Sequence, residues 1–70
     1  MRLLVVVEGT ATGFSAYSPD LDGCVATGAT RDEVESAMRS AVAMHVEAMR
    51  ADGERVPTPH TYVTYLEVAA

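Results

Sequence analysis

The sequence predicts a small α+β domain of element order β-β-β-α-β, with one helix packed on a four-stranded mixed sheet. Three observations predict it. Residues 2–8 (RLLVVVE) are apolar and β-branched and carry no helix cap. Residues 17–28 (YSPDLDGCVATG) place a turn before a short strand that ends in glycine. Residues 30–52 then carry a bounded helix signal with apolar residues at helical spacing.

The elements follow in order. In the first strand, Leu3, Val5 and Val7 share one face and Leu4 and Val6 the other. Both faces are apolar, the pattern of a central strand covered on both sides. Residues 9–13 form a turn with glycine at each end, and residues 14–18 return as the second arm of a hairpin. Phe14, Ala16 and Ser18 share one side of that arm. Pro19 closes it, because proline fixes φ and has no N–H to donate. Asp20 and Asp22 bond nearby amides, and Gly23 can take a positive φ. Residues 24–27 make a third short strand, ended by Gly28.

The helix is expected over 31–52. Thr30 and Glu33 have the spacing of a capping box. Asp32, Glu33 and Glu35 put negative charge where the helix dipole is positive, and Arg50 suits the other end. Val34, Ala37, Met38, Ala41, Val42, His45, Ala48 and Met49 form one stripe. Gly53 fits the position just past the end, and Pro57 forbids continuation. Residues 61–68 (TYVTYLEV) are rich in β-formers and read as a fourth strand. A right-handed crossover would lay it parallel to the first.

One helix covers one face of a four-stranded sheet. The other face keeps apolar side chains, with Leu4 and Val6 the candidates for an oligomer interface. An uncovered apolar patch of this kind marks a protein contact, so a homo-oligomer, dimer or tetramer, is expected.

Seventy residues make a single domain, 1–70. A chain of this size buries only about 60% of the surface its unfolded form exposes, so another subunit helps to cover it. With 49% hydrophobic residues it is too apolar for disorder. Five Arg, no Lys and ten acids give a net charge of −5. That surface repels phosphate backbones and excludes nonspecific nucleic-acid binding; it suits a basic protein partner. The longest apolar run, residues 3–7, is far too short to span a bilayer, and no secretory signal is present. A single thiol, Cys24, excludes an internal disulfide and fits a cytoplasmic protein.

Few residues offer chemistry. Asp20 and Asp22, with Glu8, could be imagined as a metal-binding carboxylate set, but x-P-D-x-D-G is turn chemistry by itself. Cys24, His45 and His60 lack metal-ligand spacing. His45 lies in the helix stripe, where a packed ring is the simpler role; His60 reads as a solvated loop residue. No nucleophile–base arrangement and no phosphate-binding loop is present. The sequence therefore predicts no enzyme, no cofactor and no metal.

Two phrases carry a family resemblance. One is PDLDGC with a following glycine and a Thr-led helix, over residues 19–33. The other is the turn and spaced prolines of Asp52-Gly53-Glu54-Arg55-Val56-Pro57-Thr58-Pro59. Their order and separation resemble the HicB-like antitoxin family, along nearly the whole chain. The family usually has proline where Asp22 stands, a difference in turn stiffness. The resemblance implies a trimmed ribonuclease-H-like sheet. It also implies a type II toxin–antitoxin role: binding and occluding a small basic HicA-like toxin that cleaves messenger RNA. The contact acids would then be Asp20, Asp22, Asp32, Glu35, Asp52 and Glu54, on exposed turns and the outer helix face. Family members commonly continue into a C-terminal DNA-binding module; this sequence stops at Ala70, so autorepression by that route is not expected. Two alternatives stand beside this reading. One is a solitary homo-oligomeric structural or binding domain with no toxin. The other is a reduced metal-dependent ribonuclease-H-like nuclease using Asp20, Asp22 and Glu8.

Overall fold

A computed structural model of the chain describes residues 1–69. Three strands and one helix form in sequence order: β1 (Val6–Gly9), β2 (Phe14–Tyr17), β3 (Val25–Gly28) and α1 (Arg31–Ala51). The sheet is wholly antiparallel in the order β1-β2-β3. The hairpin turn between β1 and β2 closes with the Thr10 amide donating to the Gly13 carbonyl at 2.8 Å.

The register explains the two faces. Val7, Ala16 and Ala26 align across the strands, as do Gly9, Phe14 and Gly28. This side meets the helix. Ala16, Leu21, Cys24, Val34, Met38 and Val46 are buried there, and Leu3, Val5, Phe14, Ala26 and Val42 pack around them. Val46 continues the Met38–Val42 row by another turn; the expected stripe omitted it and included Ala48, which is exposed.

Both helix ends have their expected caps. The Thr30 hydroxyl accepts from the Glu33 amide at 3.1 Å, while the Glu33 carboxylate accepts from the Ala29 amide at 3.0 Å. At the other end Gly53 has φ +74°. Its amide donates to the Arg50 carbonyl, and the Glu54 amide to that of Met49, which is a Schellman motif.

Gly28 fixes how closely the helix starts against the sheet. A Cβ added there would lie 2.5 Å from the Val34 amide nitrogen and 2.9 Å from its Cα. No side chain fits between β3 and the first helical turn.

The expected fourth strand is not formed. Residues 61–68 pair with no strand among the described residues, so the four-stranded mixed sheet is corrected to a three-stranded antiparallel one. The ribonuclease-H likeness, which needed the parallel fourth strand, is not seen in this chain alone. β1, expected at the centre, lies at an edge. Two local causes act together. β2 ends at Tyr17, before Pro19, so the ladder with β1 begins only at Val6 and leaves residues 2–5 beyond it. His60 and Thr61 are tied to the β2–β3 turn, and the segment leaves the body from that point, with Tyr62, Val63, Tyr65, Leu66 and Val68 exposed.

Candidate functional site

The β2–β3 connection is built from two successive turns. Pro19 sits at the second position of the first, closed by the Leu21 amide on the Ser18 carbonyl at 3.1 Å. In the second, the Cys24 amide reaches the Leu21 carbonyl at 3.3 Å, and Gly23 has φ +75°. No non-glycine residue among those described has positive φ, so this is a type II turn with Asp22 at its second position. The turns drive Leu21 and Cys24 inward, and burial pushes the Cys24 thiol pKa up.

Asp20 also turns inward. It is 6% exposed, against the expectation that it stands free on the surface. Its Oδ1 accepts from the Thr61 hydroxyl at 2.7 Å and lies 3.1 Å from Nδ1 of His60; its Oδ2 accepts from the His60 amide at 3.4 Å. The Thr61 hydrogen bond leads in holding the Asp20 pKa below its usual value, against the opposing pull of desolvation. The sequence hinted at a turn-forming aspartate here. Its bond to a residue forty-one positions away had no local signal.

A cleft of about 420 Å³ opens beside this turn, with Asp22, His45, Met49, Glu54, Pro57 and His60 among its walls. The helix runs antiparallel to β3, so its C-terminal end returns to the turn. Asp22 and Glu54 thereby meet on one cleft, and Asp52 is exposed two residues before Glu54. Asp32 and Glu35 are exposed at the opposite end of a 21-residue helix, which spans about 30 Å. The candidate contact acids thus form two separate groups; Asp20 lines the same cleft as Asp22 and Glu54, with its carboxylate engaged by His60 and Thr61. His45 is half-buried on the cleft wall, and the His60 side chain is 77% exposed even as it meets Asp20.

A metal set of Asp20, Asp22 and Glu8 is not assembled. Glu8 pairs with Ser15 near the hairpin turn, while Asp20 lies past the other end of β2. Among the described residues no three His, Cys, Asp or Glu side chains are grouped to hold a metal ion.

The open face of the sheet is divided. Val6, Tyr17 and Val25 align in one apolar row, with Tyr17 40% and Val25 66% exposed; Glu8, Ser15 and Thr27 align in a polar row beside it. Leu4 and Val6 are both half-buried.

Comparison with known proteins accords with the two sequence phrases. Residues 3–68 match the family model described as a HicB_like antitoxin of bacterial toxin-antitoxin systems. A chain of a solved structure titled "HicA3 and HicB3 toxin-antitoxin complex" is 31% identical, with a TM-score of 0.68 over 84% of this chain and 72% of that one. No curated protein matches.

Proposed function

Because this chain belongs to the HicB-like antitoxin family, we propose that it binds a small basic HicA-type toxin and blocks the toxin's access to messenger RNA. The carrying observation is the likeness, at 31% identity, to a chain of a toxin–antitoxin complex. The chemistry of the surface agrees with it. Five arginines face ten acids, so a cationic RNA-binding face would be steered toward this protein by long-range attraction. Occlusion needs no catalytic group on the inhibitor. Its requirement is a rigid surface with charges of the right sign.

Of the two acidic groups, the one at the turn cleft suits a docked side chain better. Asp22 and Glu54 line a concavity, and a toxin arginine or lysine entering it would meet both carboxylates. Asp52 would enlarge the same field. Asp32 lies in the first helical turn and already serves the helix dipole; it and Glu35 would add to steering more than to contact. The protein would act in the cytoplasm, where messenger RNA is cleaved.

Self-association is the second part of the reading. The Val6–Tyr17–Val25 row supports it, because a sheet of three short strands rarely leaves such a row in water. Leu4 and Val6 would lie in or beside that contact.

Co-expression with a small basic HicA-type toxin tests the inhibitory role. The expected result is a stable complex and loss of RNA cleavage. The charge-reversing pair Asp22→Arg and Glu54→Arg should slow association and weaken its salt dependence. A complex of unchanged affinity and salt dependence would move the contact away from this cleft. No complex, with RNA cleavage undiminished, would remove the inhibitory reading.

A further inference from the structure

We propose that residues 61–68 of one chain form the missing fourth strand of a second copy's sheet, laid along its free β1 edge, so that two chains complete each other by exchange. The inference stands apart from the toxin reading.

The donor is a strand without a sheet. Within seven residues Tyr62, Val63, Tyr65, Leu66 and Val68 are 84, 60, 90, 83 and 82% exposed. So much apolar surface on a β-forming segment is a strong drive to pair. Its alternation gives it two usable faces, with Tyr62, Leu66 and Val68 on one and Val63 and Tyr65 on the other.

The acceptor is a sheet without its last strand. β1 is an edge, and residues 2–5 extend beyond the ladder with β2. Under that segment lies a cavity of about 470 Å³ whose apolar walls are Leu3, Val5, Met38, Val42 and Val46, with Glu35 and Arg39 also lining it. A strand added beside β1 would bring alternate side chains over this opening, satisfying edge amides and apolar walls together. It would also make β1 a central strand, the position for which its two apolar faces are suited.

The connector decides between the chain's own edge and a neighbour's. Pro57 and Pro59 favour extended backbone before and at each proline. His60 and Thr61 are then fastened to Asp20. The segment that follows leads away from the body. The radius of gyration is 14.0 Å, against about 11 Å for a compact chain of this length, and the long axis reaches 49 Å. Folding back in cis would require a reversal at the point where the chain is tied. Crossing to a second copy would not, and a two-fold axis would cover both edges at once.

The test combines sedimentation with amide hydrogen exchange over a range of protein concentrations, on the wild type, Val63→Pro and Thr64→Pro. Adjacent strand residues direct their amides to opposite sides, so at least one of these prolines removes a ladder donor. The expected wild type is a dimer. Residues 62–67 and 3–7 should become protected together as concentration rises, by a factor on the order of 100. At least one proline variant should sediment as a monomer with its helix signal intact and both segments unprotected. A wild-type monomer overturns the proposal: unprotected tails mean no pairing, and protection that ignores concentration means closure within one chain. A dimer that survives both prolines overturns it too, and places the contact on the open sheet face.

Discussion

The Thr61 hydroxyl donates a 2.7 Å hydrogen bond to the carboxylate of Asp20, forty-one residues earlier, and so ties the C-terminal segment to the β2–β3 turn. Together with the His60 amide, this bond makes the turn a mooring as well as a reversal of the chain. It has a pH signature. The pKa of Asp20 in the folded protein lies below the ordinary 3.8, chiefly through Thr61. A depressed carboxylate pKa means that the unfolded chain binds the proton more readily. The stabilisation is therefore complete above about pH 4–5 and is lost as pH falls through 3.8 toward the folded value. Urea unfolding between pH 2 and pH 5 should show a shallower pH dependence for Asp20→Asn than for the wild type. Thr61→Val should remove most of the same slope; parallel curves for all three would mean that the mooring contributes nothing.

Gly28 has no such titratable signature, and its test is steric. Its absent side chain lets the Val34 backbone approach to a distance no Cβ tolerates. Gly28→Ala should destabilise by about 1–3 kcal/mol, as overpacking does, because the obstacle is main chain and cannot rotate aside. Chemical denaturation measures it. A neutral result would show that the helix can lift from β3 without loss.

Asp22 offers the opposite sign. It occupies the second position of a type II turn, where proline is favoured, and its amide donates none of the turn's backbone hydrogen bonds. Asp22→Pro should stabilise by about 0.4–1 kcal/mol by restricting the unfolded chain. The same substitution removes one cleft carboxylate. If the acidic cleft meets a basic partner, stability should rise while partner affinity falls.

The parts of this protein that could be read from the sequence are those set by neighbours a few residues apart. Thr30 and Glu33 marked the helix start, Gly53 and Pro57 its end, and Pro19 and Gly23 the turns. The fate of residues 61–68 could not be read this way. Strand propensity states what backbone a segment favours, whereas pairing depends on an edge supplied from elsewhere, in this chain or another. Asp20 was misplaced for a related reason. A turn-forming aspartate looks exposed until the partner that buries it, Thr61, is brought in by the tertiary fold. The acids proved legible as exposed at Asp22, Asp32, Glu35, Asp52 and Glu54, but their division into two groups required the antiparallel return of the helix.

The helix cap is a local prediction that the structure sharpens. Thr30 Oγ1 accepts from the Glu33 amide at 3.1 Å at an exposed helix start. Thr30→Ala should cost about 1 kcal/mol, and Thr30→Ser should recover most of it, since serine keeps the acceptor. Equal losses in both variants would assign the effect to the lost methyl group instead of the cap.

Ser18 is the most informative site for separating packing from polarity. It is 3% exposed just past β2, on the side that meets the helix, and its hydroxyl has no hydrogen-bond partner among the described residues. A buried hydroxyl gives up its hydration and here gains nothing in exchange, a penalty on the order of 1 kcal/mol. Its backbone carbonyl still closes the Pro19 turn, and a side-chain change leaves that bond alone. Ser18→Ala keeps the β-carbon and removes only the unpaired oxygen. It should raise the unfolding free energy by about 1 kcal/mol, with no change in the dependence on denaturant. A loss of stability would show that the hydroxyl finds a partner in solution, for which the assembled oligomer is the first place to look.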